Sequence, residues 1–145
     1  MPLSKSFQFF IAGLPAPQGS KNAYLRGKKV VLVEASKKIE PWRKAVAEAA
    51  KKRLQETGEI YFDEGVEVWV RFILPRPPSN KSLYPIVPPD LDKLERGIYD
   101  AITIAGIWKD DSLVVRSHAT KIWSADGLTG AHVIIEPITH PDQLN

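Results

Sequence analysis

The densest run of acids in the chain is Asp90, Asp92, Glu95, Asp100, Asp110 and Asp111. Two carboxylates one residue apart can share a divalent ion when a third reaches them, and Mg²⁺ favours carboxylates, waters and substrate phosphates. Taken singly, these acids also have a plainer explanation. Asp90 follows two prolines and suits a helix N-cap, Asp92 suits the first helical turn, and Asp110, Asp111 and Ser112 suit a turn. Geometry separates the two readings. A helix of about fourteen residues is ~21 Å long. The six residues from Gly106 to Asp111 span at most ~20 Å. The two acidic groups can therefore meet only if Ile107 and Trp108 run back along the helix and are buried there.

Other chemistries are excluded. The segment starting at Asp90 is not an EF-hand loop, because Leu94 occupies a ligand position and Glu95 stands where glycine is required. Residues 13–21 have the wrong glycine spacing for a phosphate-binding loop, and Pro15 and Pro17 remove needed N–H groups. His118, His132 and His140 lack zinc-like spacing and read as packing or surface residues. There is no Cys, so a thiolate metal site, a disulfide framework and a cysteine nucleophile are all absent. Trp42, Trp69, Trp108 and Trp123 read as core.

The elements that must position the acids follow from periodicity. Residues 6–12 form an apolar, aromatic strand, and residues 13–19 form a loop. Residues 30–33 (four β-branched or leucine positions) read as a short strand after a turn at 26–28. A helix is expected over 37–54, with Ser36 as N-cap and Pro41 near its start. Ile39, Trp42, Val46, Ala49, Ala50 and Arg53 share its packed face. Lys37, Lys38, Arg43, Lys44, Lys51 and Lys52 surround that face. Residues 66–74 alternate as a strand. Residues 75–89, with six prolines, form a long irregular loop. A second helix spans 91–104 with Leu91, Leu94, Ile98, Ala101 and Ile102 inward, and Gly106 stops it. Strands follow at 113–123 and 131–137, joined by a turn at 125–127. Residues 137–145 read as a loose tail. The expected fold is α+β: one domain over 1–145, with a mixed or antiparallel sheet packed against two main helices.

Composition agrees with a folded domain: 145 residues, 43% hydrophobic and 26% charged. No apolar run reaches the ~20 residues of a membrane span, and residues 1–15 lack a signal-peptide pattern. The expected setting is the cytoplasm, with no membrane partner. Charge is unevenly divided. Residues 1–53 hold twelve Lys/Arg against three Glu, a net +9, and the remainder carries −6. A basic region beside an acidic cluster suits a polyanion partner and a separate acidic site. A solvated, lysine-rich helix face is the plainer alternative.

Pro89-Asp90-Leu91-Asp92, Arg96, Asp100, residues 105–108 (Ala-Gly-Ile-Trp) and residues 110–115 (Asp-Asp-Ser-Leu-Val-Val) occur in order. Together they resemble the signature of the RusA family of Holliday-junction resolvases. Upstream, residues 13–21 and Pro41-Trp42-Arg43 are similar to that family's N-terminal region. The resemblance implies a homodimeric, Mg²⁺-dependent endonuclease, with Mn²⁺ as a substitute, that resolves four-way DNA junctions in recombination and repair. Such proteins are common in phages and prophages, so the implied setting is a bacterial or phage-infected cell. By position, Asp90, Asp92 and Asp111 match the family's essential carboxylates, and Asp110 matches their neighbour. Arg96 stands where the family usually has a catalytic lysine, and Lys93 where asparagine is frequent. Arginine stays protonated, so Arg96 can assist a phosphate electrostatically but cannot donate a proton. Spaced one helical turn after Asp92, it can also pair with that carboxylate at rest.

Candidate contacts to the DNA backbone are Lys21, Arg26, Lys28, Lys29, Lys37, Lys38, Arg76 and Lys81. A non-catalytic protein that binds branched DNA is the alternative, with the acids serving only as helix caps. A metal-dependent enzyme for a smaller phosphoester is disfavoured, because a small substrate needs no extended basic surface.

Overall fold

The alternation at Val66, Val68, Val70, Phe72 and Leu74 decides which side of the sheet is covered. All five are buried, while Glu67, Trp69, Arg71 and Ile73 face the other way. The computed structural model describes residues 5–18 and 28–138, with backbone alone over 28–36. Four strands form one mixed sheet in the order β1-β4-β2-β3: β1 (Phe7–Ala12), β2 (Val66–Leu74), β3 (Val114–Trp123) and β4 (Gly130–Pro137). β4 runs antiparallel to both β1 and β2, whereas β3 runs parallel to β2. A parallel neighbour requires a crossover, and here it contains α2 (Leu91–Ala105).

One side of the sheet carries α2 and α1 (Lys28–Thr57). Phe7, Phe9 and Ile11 of β1 join Ala131, Val133 and Ile135 of β4 in the core beneath them. From α1 come Ile39, Trp42, Val46 and Ala50, spaced at three or four residues as one helical face must be. From α2 come Leu94, Ile98, Ala101 and Ile102, while Leu91 is half-buried at the edge. The α+β expectation is met: a single domain with a mixed sheet and two main helices. No helix among the described residues is long and apolar enough to cross a membrane.

Several local expectations are corrected. Residues 30–33 are helical, not a strand, and α1 begins at Lys28. β-propensity is largely a measure of packing on a sheet, and among the described residues no strand pairs with this segment. Ser36 is consequently inside the helix instead of capping it, and Pro41 is also internal. An internal proline costs about 3 kcal/mol, which the packing of Ile39, Trp42 and Val46 offsets. Trp42 and Trp108 are core, but Trp69 lies on the open sheet face, stacked on His118 at 5.1 Å between ring centres. Trp123 is only half-buried. Of the expected turn at 26–28, residues 26 and 27 fall outside the described residues and Lys28 is helical; most of the tail also falls outside them.

Candidate active site at the start of the second helix

α2 is tied along its first turns to the loop at residues 13–18 and to α1. Gly97 sits on α2 where a Cβ would come within 2.5 Å of the Ala16 carbonyl oxygen. Only glycine permits that approach. Nearby, the Gln18 N–H donates to the Lys93 carbonyl at 3.0 Å. Arg43 closes the junction from α1, donating to Asp100 at 2.7 Å and to the Gln18 side-chain oxygen at 3.0 Å. Arg43 is thus a half-buried tie between α1, α2 and the 13–18 loop, and not part of the solvated lysine face.

At the other end of α2 the chain turns back. Gly106 adopts φ 81°, the left-handed conformation that glycine takes at helix ends, and donates its N–H to Ile102 and Thr103 carbonyls. Ile107 and Trp108 then run back and are 0% and 1% exposed. Phe62 pairs with them: its N–H donates to Ile107 O at 3.0 Å, and its carbonyl accepts from Lys109 N–H at 2.9 Å. The Trp108 indole N–H donates to Thr103 Oγ1 at 2.6 Å, and its ring meets Tyr99 edge-on. The return that the spacing required therefore exists, and its apolar residues are buried as required.

This return delivers Asp110, Asp111 and a single 3₁₀ turn (Asp111–Leu113) against α2. The two aspartates differ in role. Asp110 caps the turn by accepting from Ser112 N–H at 3.1 Å. Hydrogen bonds from Ser112, hydroxyl first and then backbone, hold its pKa below the ordinary carboxylate value. Asp111 is exposed, and its carboxylate has no hydrogen bond or ion pair among the described residues. Its charge nevertheless reaches Tyr99, whose hydroxyl is pushed up to about 12, chiefly by burial.

Asp90 occupies the N-cap position of α2, yet its carboxylate caps no N–H. It faces Lys93 Nζ at 3.7 Å instead. Asp92 is exposed in the first turn and also unpartnered among the described residues. The capping explanation thus applies to Asp110 and fails for the Asp90 side chain. Arg96 is exposed and, contrary to the pairing open to it, makes no ion pair with Asp92. Among the described residues, no three His, Asp or Glu side chains stand close enough to hold one metal ion.

Sequence reasoning missed Tyr99, Ser117 and Lys121 here, and gave Glu95 only as one of the clustered acids. Ser117 Oγ lies 2.7 Å from Glu95 Oε2 and 2.8 Å from the Tyr99 hydroxyl, linking β3 to α2. Lys121, two positions further than Ala119 on the same face of β3, donates to the carbonyls of Val87 and Pro89, each at 2.9 Å. Strand alternation places Ser117 and Lys121 on one face, and helical spacing places Glu95 beside Tyr99. Those two periods were legible; the packing of β3 against α2 was not.

Of the basic residues, Lys37, Lys38 and Lys81 are exposed. Arg76 holds its own loop, donating to Asn80 and Ser82 carbonyls at 3.0 Å each. Lys28 and Lys29 open α1, and Lys21 and Arg26 fall outside the described residues.

Oxygen donors that are exposed and free of internal partners, as at Asp92 and Asp111, suit Mg²⁺. That ion keeps several waters and takes one or two carboxylates together with substrate phosphates, so it needs no three-carboxylate cage. No curated protein matches the chain, but residues 15–136 match the family described as Endodeoxyribonuclease RusA. That match runs from the loop against α2 to the end of β4 and takes in every acid of the site, so the chain belongs to the RusA endodeoxyribonuclease family.

Proposed function

We propose that the protein is a Mg²⁺-dependent resolvase that nicks four-way DNA junctions as a homodimer, with Mn²⁺ able to replace Mg²⁺. The observation that carries this reading is the state of Asp90, Asp92 and Asp111. None is used as a cap, and two have no internal partner among the described residues. An ion held by one or two of these carboxylates together with the scissile phosphate would activate water and neutralise charge developing on the phosphoryl oxygens. Lys121 holds the Pro89 peptide and so fixes where Asp90 begins. Arg96, unpaired with Asp92, is available for electrostatic contact with the phosphate. Hydrolysis leaves a 5′-phosphate and a 3′-hydroxyl. A two-fold dimer presents the same site to two strands, which accounts for paired nicks.

Exposed Lys37, Lys38, Lys44, Lys51 and Lys52 give α1 a cationic face for backbone phosphates, and affinity should fall steeply with salt. Labelled four-way junctions incubated with Mg²⁺, and in parallel with EDTA, test the reading. Paired nicks in Mg²⁺ and shifted but intact junctions in EDTA support it. Shifted, intact junctions under both conditions would favour a non-catalytic branched-DNA binder.

A further inference from the structure

A cavity of about 550 Å³ opens against the acidic site, with Asp90 on its edge. Its volume is within the ~300–1,000 Å³ of small-ligand pockets. Seven of its fourteen lining residues are proline, drawn from the loops at 13–18 and 75–90, and Trp123 adds an aromatic wall. The walls are fixed in place. Trp123 Nε1 donates to Ser82 O at 3.0 Å, Lys121 holds Val87 and Pro89, and Gln18 N–H holds Lys93. At the edge stand Lys38, Lys93 and Asp90.

This lining selects its occupant by chemistry. Proline rings are compact and apolar, and their backbone nitrogen has no N–H to donate. A docked peptide strand needs such donors along its length, and this cavity has few. A second copy of the chain would bring Lys38 and Lys93 of each protomer toward those of the other, like charge against like. A nucleotide meets both demands: its base has two apolar faces, and its phosphate is an anion for the lysines. The loop tip next to the cavity exposes Leu83 and Ile86, each 77% accessible, as a surface that contacts a partner would.

We propose that the cavity receives one unstacked nucleobase from the branch point, adjacent to the scissile phosphate, with Lys38 and Lys93 on the flanking phosphates. The inference rests on the junction-nuclease reading and gives that site its sequence preference. Bases at a branch have lost a stacking neighbour, so drawing one out costs less there than within a duplex.

The test places 2-aminopurine, whose emission rises on unstacking, at each position around the branch of a four-way junction, with protein in EDTA. One position should brighten by about threefold, and it should adjoin the nick mapped in Mg²⁺. Leu14→Trp and Val87→Trp fill the cavity from its exposed rim. Both should abolish the brightening and flatten the nick-site preference, while gel-shift affinity stays within about threefold. No brightening at any position, or equal brightening in both variants, overturns the proposal. Loss of dimers on sedimentation with unchanged DNA behaviour also overturns it, by assigning the cavity to a second copy. Brightening without nicks in Mg²⁺ would remove the nuclease reading and leave the base pocket standing; nicks without brightening would do the reverse.

Discussion

Lys121 Nζ donates to the carbonyl oxygen of Pro89 at 2.9 Å, so a cation on β3 fixes the peptide that leads into Asp90. The same ammonium holds Val87 O at 2.9 Å. The residue lies outside the acidic signature and touches none of its carboxylates by hydrogen bond. It acts on their placement.

Replacing Lys121 with Met keeps most of the stem and removes both hydrogen bonds. Junction nicking should fall by roughly 10–100-fold, with a higher Mg²⁺ concentration needed for half-maximal rate. Lys121→Arg, which can still donate, should recover much of the loss. A Met variant with unchanged Mg²⁺ dependence would show that the clamp does not position the site.

Gly97→Ala tests the seat of α2 on the 13–18 loop. The added Cβ would stand 2.5 Å from Ala16 O, and backbone on both sides resists movement. Overpacking of this kind costs about 1–3 kcal/mol. Urea denaturation should show the loss; an unchanged midpoint would mean the loop yields freely.

Trp108 sets the return of the chain to α2. Trp108→Ala opens a cavity in the core and should cost about 3–5 kcal/mol. Trp108→Phe keeps a ring but loses the bond to Thr103, for about 1 kcal/mol. Denaturant titration separates the two. Nicking by the Phe variant, at a temperature where it is fully folded, reports how well Asp111 is still presented.

The acidic signature, both helices at the site and the buried return at Ile107 and Trp108 were legible because each rests on local spacing. Residues 30–33 were misread because four branched or leucine side chains carry only a weak local preference, which the surrounding helix overrides. The division of labour between Asp110 and Asp111 was not legible either. Adjacent aspartates look alike until the 3₁₀ turn directs one of them to Ser112. Lys121 and Ser117 were missed because their contacts cross between β3 and the segment around α2, and sequence spacing carries no information about that separation.

Glu67 makes stability depend on pH at the open sheet face. His118 on β3 hydrogen-bonds its carboxylate at 2.7 Å and Arg116 lies at 3.4 Å, while Glu136 is its register partner on β4. The His118 bond, more than the Arg116 charge, lowers the Glu67 pKa from its ordinary 4.5. A lowered carboxylate value adds stability above the ordinary pKa and loses it as pH falls through the folded value. Glu67→Gln should therefore be less stable than the parent near pH 6. The gap should close between about pH 5 and 3 in urea midpoints. A gap that stays constant with pH would contradict this account.

The most direct test of the central claim is strand nicking of a labelled four-way junction in Mg²⁺ by Asp92→Asn, with junction binding measured alongside. Asparagine preserves the shape of this exposed, unpartnered side chain and removes only its charge. The account predicts a loss of at least ~100-fold in nicking, with binding held or tightened. Near-parental nicking by Asp92→Asn would contradict it.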